Sequence, residues 1–483
     1  MNIMTSKMKK KRTILFSIIS LLLSGEAVAQ ESATGVLSLD SCRSLAMSFN
    51  KELRMQDAKQ QAAFYERKAA YTKYFPRISA TGAYMYTSKE ISLLSDEQKD
   101  KLNNIGNTLG ALVPQLDGKQ QMLNSLGSSL VDDLHTNTHN MGAVGVMLTQ
   151  PLYMGGKIDA YNRITRYAEQ VAQKQHDLTQ QEVILDVDKA YWQIVSLQSK
   201  KKLAEGYLQL VEKLDSDVRQ MIKEGLATKA DGLSVRVKVN EAKVSLIQVK
   251  NGLSISKMLL CQLCGLELNT PICLADENAE AGKSLPQPVT ANVQNAFDYR
   301  PELNMLSLAH QISEEKVKLA QSAFRPNVML TGGYLATNPS CFNSFERKMK
   351  GMWSVGVMVN VPIVTFGERT YKVKAAKAEA VMSSLRLSET KEKVELQVNQ
   401  NQQKVEEAAE RLQTAQRSQD EADENLRYAN AGMKEGVIPL SNVLEAQTAW
   451  LKAHSEQVEA EVDLRLANLY LLKSTGMLTM SSK

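Results

Sequence analysis

Residues 143–157 read AVGVMLTQPLYMGGK. Valine, methionine and leucine alternate with small or polar residues up to Pro151, Gly155 and Gly156 follow, and a helix-period pattern begins at Lys157. Proline cannot donate to a sheet ladder and glycine frees the backbone, so the stretch predicts a strand that stops at Pro151 and switches into a helix. Residues 354–368, SVGVMVNVPIVTFGE, repeat this pattern 211 positions later. Val144, Gly145, Val146, Met147, Pro151 and Gly156 fall on Val355, Gly356, Val357, Met358, Pro362 and Gly367. The chain is a duplication built around this switch.

Working outward, Leu53, Pro76, Gly82 and Tyr84 map onto Leu303, Pro326, Gly332 and Tyr334 at an offset of 250, while Gly225 and Gly265 map onto Gly436 and Gly476 at 211. The difference of 39 residues falls inside the polar Gly-, Asn- and Ser-containing excursion at 88–139, as expected of a surface connection. The first repeat spans 30–268 and predicts a helix, strands at 77–87 and 140–150, and a helical hairpin over 157–263. A linker follows at 269–288. The second repeat, 289–483, predicts a helix, strands at 327–337 and 352–361, and a hairpin over 368–475. Each hairpin's first helix could reach about 100 Å at 1.5 Å per residue.

Residues 1–29 read as a secretory signal peptide: a basic start from Lys7 to Arg12, a short apolar run over 14–23, and a small-residue site at Ala27-Val28-Ala29. Without it the charge is nearly balanced, 53 basic against 52 acidic residues, so nothing argues for nucleic acid. With only nine phenylalanines and three tryptophans, the composition suits long, solvated helices better than one large globular core.

The strands alternate with period 2 over about eleven residues, the length a tilted membrane strand needs. Tyr84, Val144, Val146, Tyr334, Trp353, Val355 and Val357 share one apolar face, with aromatics towards strand ends, which predicts a lipid-facing band. Methionines 85, 141, 147, 329 and 358 lie on the other face and read as space-filling in a lumen. Four strands cannot enclose a pore, and lipid tolerates no open sheet edge. Sharing strands among three copies gives a 12-stranded barrel. The competing reading is a periplasmic coiled-coil structural protein without a pore.

With the QPLYMGG switch at 150–156 and the tip sequences EGLATKADGLSV (224–235) and EGVIPLSNVLEA (435–446), this ordered set resembles the TolC family of outer-membrane efflux and secretion ducts over essentially the whole mature chain. The resemblance implies an α+β membrane protein, a homotrimer with a 12-stranded outer-membrane β-barrel and a periplasmic α-barrel. The partners it implies are a periplasmic adaptor and an inner-membrane efflux pump or ABC exporter. The implied function is an outer-membrane exit duct of tripartite efflux that passively conducts small molecules, with type I protein secretion as the alternative. It also implies a periplasmic gate at the positions of Glu445 and Asn442, where the amide replaces one of the family's paired carboxylates. Arg219, Lys223, Lys229 and Lys434 are candidate counter-charges. Gly225-Leu226 and Gly436-Val437 become adaptor-docking tips.

No phosphate loop, nucleophile elbow or complete metal-ligand signature is present in the sequence, and no enzyme, metal or cofactor is expected. Cys261 and Cys264 form a CxxC near a helix end, and His135 and His139 stand four apart without the glutamate of a zinc-protease motif.

Overall fold

The computed structural model describes residues 36–88, 94–113, 118–134, 138–278, 287–290, 292–340, 342 and 348–480. The expected signal peptide and His135 lie outside them. In chain order the elements are β1 (Val36–Leu37), α1 (Leu39–Phe49), α2 (Lys51–Tyr71), β2 (Arg77–Tyr86), α3 (Asp96–Asn103), α4 (Ile105–Leu112), α5 (Gln120–Asp133) and β3 (Asn140–Met154). Then come α6 (Lys157–Lys223), α7 (Lys229–Leu263), β4 (Cys273–Leu274), α8 (Val293–Tyr299), α9 (Pro301–Ser322), β5 (Asn327–Asn338), β6 (Lys350–Asn360), α10 (Glu368–Lys434) and α11 (Leu440–Ser474). The duplication is metrical: α6 and α10 each have 67 residues, and α7 and α11 each have 35.

β2, β3, β5 and β6 form one antiparallel sheet in that order, so β2 and β6 are its edges. Every long helix leaves the sheet at one end, and the β2–β3 and β5–β6 connections lie at the other. The register puts Val144 opposite Gly82 and Ala336, Val146 opposite Ala80 and Tyr334, and Trp353 opposite Tyr334. Val355 and Val357 face Gly332 and Leu330, and Tyr84 faces Gly142. Directly paired residues share a face, so these seven side chains form one apolar surface, and all seven are exposed on the single chain. Met85 pairs with Met141, and Met329 with Met358, on the opposite side.

Three details differ from the sequence expectation. β3 does not stop at Pro151 but runs on to Met154. Its ladder to β2 has already ended at Thr149–Arg77, so proline sits where the strand has become an edge, and a register shift between Pro151 and Tyr153 absorbs the irregularity. The linker is not structureless, because Cys273–Leu274 pairs in parallel with Val36–Leu37. The first helix breaks at Asn50, whose side chain accepts from the Glu52 and Leu53 amides and restarts the helix as α2. The described part of the excursion folds as the short helices α3, α4 and α5, and the chain leaves it at His139, whose Nδ1 lies 2.7 Å from the Thr87 carbonyl.

The switch is a glycine geometry in the first repeat. Gly155 and Gly156 have φ of 64° and 87°, and a Cβ on Gly155 would lie 2.7 Å from both Arg325 Cβ and the Ser322 carbonyl. In the second repeat the position equivalent to Gly155 is Phe366, held at φ 42°.

The helices follow a coiled-coil rule. On α10 the buried positions are Val394, Val398, Asn401, Val405, Ala408, Leu412 and Ala415, stepping by four and three. Alanine recurs every seventh residue at 408, 415, 422 and 429, which lets neighbouring backbones approach closely. Where the N-terminal segment meets the end of the α6–α7 hairpin, Leu37, Cys42, Ala46 and Leu53 pack with Val187, Tyr191, Ile194, Leu260, Cys261 and Cys264. The Cys264 thiol lies 3.6 Å from the Cys42 carbonyl oxygen, and Cys42, Cys261, Cys264 and Cys273 are free thiols. No helix among the described residues is long and apolar enough to cross a membrane.

One ion pair is fully enclosed here. Arg43 donates from Nε to Asp188 Oδ1 at 2.8 Å and from Nη2 to Oδ2 at 2.6 Å, while its Nη1 reaches the Met480 carbonyl at 2.9 Å. Burial pushes the Asp188 carboxyl up and the Arg43 contacts pull it back. The pair ties α1, α6 and the C-terminal segment together. Asp188→Ala strands a buried guanidinium and is expected to cost about 3–5 kcal/mol. Arg43→Met with Asp188→Leu should recover most of that loss in thermal unfolding of the detergent-solubilised protein.

Candidate functional site

Both hairpins turn by the same device at the end far from the sheet. Gly225 has φ 77°; its amide donates to the Ile222 carbonyl at 3.2 Å, and the Leu226 amide donates to Met221 at 2.8 Å. Gly436 has φ 73°, with Gly436 to Met433 at 3.1 Å and Val437 to Gly432 at 2.9 Å. These are paired Schellman closures, which need the left-handed conformation at the residue after the cap and so favour glycine there. Each closure throws the next apolar residue outward: Leu226 is 70% exposed and Val437 78%. Neither folds back onto its own hairpin.

The two return helices begin differently. Thr228 caps α7 by accepting from the Asp231 amide at 3.2 Å, and Asp231 accepts from the Thr228 amide at 2.8 Å, a full capping box. The Thr228 hydroxyl and amide hold the Asp231 carboxyl below its ordinary range. In α11 the equivalent residues are Pro439, which has no side-chain cap, and Asn442, whose amide donates to the Pro439 carbonyl at 3.1 Å.

The tips are not independent. Tyr207, Val211, Leu214, Val218, Val235 and Val239 of the first hairpin share a core with Leu426, Ala429, Val443 and Ala446 of the second. Glu445, beside that core, is exposed and lines a groove with Leu444, Thr448, Ala449, Lys452 and Lys238. The cations that line this groove with it are Lys238, whose Nζ lies 2.8 Å from Glu241, and Lys452, whose Nζ lies 3.8 Å from Glu456, and sequence reasoning named neither. Lys452 is seven residues on along the same helix face, a signal available in the sequence. Lys238 arrives through packing between hairpins, which the sequence does not display. Of the four cations proposed from sequence, Arg219 is bound by Asp215 on its own helix, and Arg236 Nε stands 3.9 Å from that carboxylate. Higher up, Asp423 of α10 accepts from Trp450 Nε1 at 2.5 Å and lies 2.9 Å from His454 Nε2, clamping α10 to α11.

Four membrane-length strands, two long hairpins and a paired set of tips define the architecture of an outer-membrane duct subunit. The Outer membrane efflux protein family matches residues 43–266 and 292–477. The chain belongs to this family: it is an outer-membrane efflux channel protein of the TolC type, with a large periplasmic helical part, and it works as a homotrimer with a periplasmic adaptor and an inner-membrane pump. Members of the family are channels, not enzymes. The chain is similar to the outer membrane protein TolC of Vibrio cholerae, at 22% identity over 70% of this chain and 77% of that protein. It is also similar to the outer membrane efflux protein BepC of Brucella suis, at 22% identity over 78% and 80%. Among solved structures, the outer-membrane channel OprN shares the fold at a TM-score of 0.72 and 16% identity, covering 91% of this chain and 89% of that one. A membrane protein from Pseudomonas aeruginosa does so at 0.74 and 14% identity, covering 92% and 91%.

Loss of the α7 cap gives a local test. Thr228→Ala is expected to cost about 1 kcal/mol and to raise proteolytic nicking at the tip about fivefold. Because the Asp231 pKa is depressed in the fold, its contribution is present above its unfolded pKa. It is lost as pH falls through the lower folded value, so tip nicking of the parent protein should rise in acid and that of Thr228→Ala should rise less.

Proposed function

We propose that three copies close a 12-stranded barrel and that the resulting duct passively conducts small molecules delivered by the pump. In this reading the adaptor docks on the tips at Gly225-Leu226 and Gly436-Val437, and the α10–α11 hairpin moves to open a gate ringed by Glu445 and Asn442. The observation that carries the docking claim is the pair of outward apolar residues, one per hairpin, at tips joined by one core. Such a surface suits recognition by another helical hairpin. Three carboxylates around a narrow axis attract cations and repel one another; Lys238 and Lys452 share the groove with Glu445 and would offset that repulsion in competition with their own partners Glu241 and Glu456. The band of Tyr84, Val144, Val146, Tyr334, Trp353, Val355 and Val357 faces lipid in this assembly, since it is the apolar side of the sheet.

The test is in-cell cross-linking from a photo-reactive residue at Val437. Capture of the adaptor of a small-molecule pump is the expected result. Capture of the adaptor of an ATP-driven protein exporter moves the assignment to secretion, and capture of its own copies alone removes the docking claim. For the gate, Glu445→Gln should reduce the cation preference of single channels in planar bilayers, and an unchanged preference would place the ring elsewhere.

A further inference from the structure

Cys42, Cys261 and Cys264 sit together in the core that joins the N-terminal segment to the end of the α6–α7 hairpin, and each is 0% exposed. Nothing in the duct reading uses them. Cys42 lies in the first turn of α1, and Cys264, 222 positions later, is the residue on which α7 ends. The Cys264 thiol lies 3.6 Å from the Cys42 carbonyl oxygen and also donates to the Cys42 sulfur, so the two residues are in direct contact across two elements. Cys261 is turned elsewhere. Its thiol lies 3.8 Å from the Thr270 carbonyl, in the segment that follows α7.

The same junction occurs in the second repeat without the cysteines. Asn50 donates from Nδ2 to the Leu263 carbonyl at 3.2 Å. Their equivalents at the repeat offsets, Arg300 and Ser474, make the same tie, Arg300 Nη1 donating to the Ser474 carbonyl at 3.4 Å. A Cβ on Gly265 would meet Phe49 Cβ at 2.5 Å, and one on the equivalent Gly476 would meet the Tyr299 carbonyl carbon at 2.8 Å. The two backbones are therefore brought together in the same way in both halves. At the positions of Cys42 and Cys264 the second repeat has Asn292 and Thr475. Those side chains serve their own helices: Asn292 accepts from the Gln294 amide at 2.9 Å, and Thr475 donates to the Leu471 carbonyl at 3.2 Å. In the first repeat the two side chains meet across the junction instead.

We propose that Cys42 and Cys264 are a modification site, joined by a disulfide in the mature protein as a covalent tie between α1 and the end of α7. The helical part of the chain lies in the periplasm, an oxidising compartment in which facing thiols are held as disulfides. Both sulfurs are enclosed once α1 has docked, so the bond forms as the chain folds. One thiolate attacks the disulfide of a periplasmic protein oxidant and gives a mixed disulfide; the other thiolate then displaces the oxidant. Two protons and two electrons leave the chain, and the oxidant's disulfide becomes two thiols. The competing pair, Cys261 with Cys264, has the spacing of a redox motif but not its setting. Such motifs draw their reactive thiolate from a helix N-terminus, whereas both of these stand at the C-terminal end of α7, where the helix dipole opposes a negative charge. A bond across 222 positions also restricts the unfolded chain far more than one across three.

The test needs no variant and uses the parent protein from outer membranes. Cells are quenched in acid, free thiols are blocked with a maleimide under denaturing conditions, and the purified chain is digested with trypsin and chymotrypsin without reduction. Trypsin cuts after Arg43 and Lys257, and chymotrypsin after Leu260, Leu263 and Leu266, so Cys42, Cys261 and Cys264 fall on separate fragments. The expected result is a Cys42 fragment joined to the Cys264 fragment, two hydrogens lighter than its separate parts and lost on treatment with dithiothreitol. Cys261 and Cys273 should carry the maleimide. Recovery of Cys42 and Cys264 with maleimide attached to both overturns the tie. A Cys42 fragment joined to Cys261 or Cys273, or a Cys264 fragment joined to Cys261, overturns the pairing.

Discussion

The constraint on which the rest depends is the unpaired backbone along β2 and β6. Each edge presents a row of amide and carbonyl groups, and in hydrocarbon such groups have no water to turn to. A four-stranded sheet can sit in a membrane only if both edges are answered, and β2 and β6 of a single chain are too far apart in the sheet order to answer each other. Assembly is then a condition of membrane insertion rather than an addition to it. Duplication makes this economical: one strand–switch–hairpin unit, used twice per chain, supplies the whole sheet.

The helical part obeys a different rule. Its buried positions step by three and four, and many are alanine or polar, as at Ala408, Asn401 and Gln447. Such seams give thin, closely spaced helices with little buried area per residue, so the long hairpins lean on local knots. One is the Arg43–Asp188 pair at the middle of the molecule; another is the shared core of the two tips.

Much of the fold was legible because the repeat supplies its own check. The four long strands, the two hairpins and the common apolar face could be read from period and offset, since period 2 and period 3.6 are properties of the backbone. What could not be read depended on partners far away in sequence. The strand at Cys273–Leu274 is two residues long and exists only because Val36–Leu37 lies beside it. The passage of β3 through Pro151 depends on where β2 happens to end. At the tips, Gly225 and Gly436 announced the turns, while Lys238 beside Glu445 required knowing how one hairpin lies on the other. The cap at Thr228 is legible in the sequence as a threonine three residues ahead of an aspartate at a helix start.

The central claim is that the edges of the sheet are edges only in a single chain. Hydrogen exchange of the trimer in lipid nanodiscs, read amide by amide, tests it most directly. The account predicts that amides of Arg77–Tyr86 and Lys350–Asn360 on the outward side of each edge exchange as slowly as those of the interior strands β3 and β5. Rapid exchange along the outer sides of β2 and β6, with β3 and β5 protected, would contradict closure of the barrel by neighbouring copies.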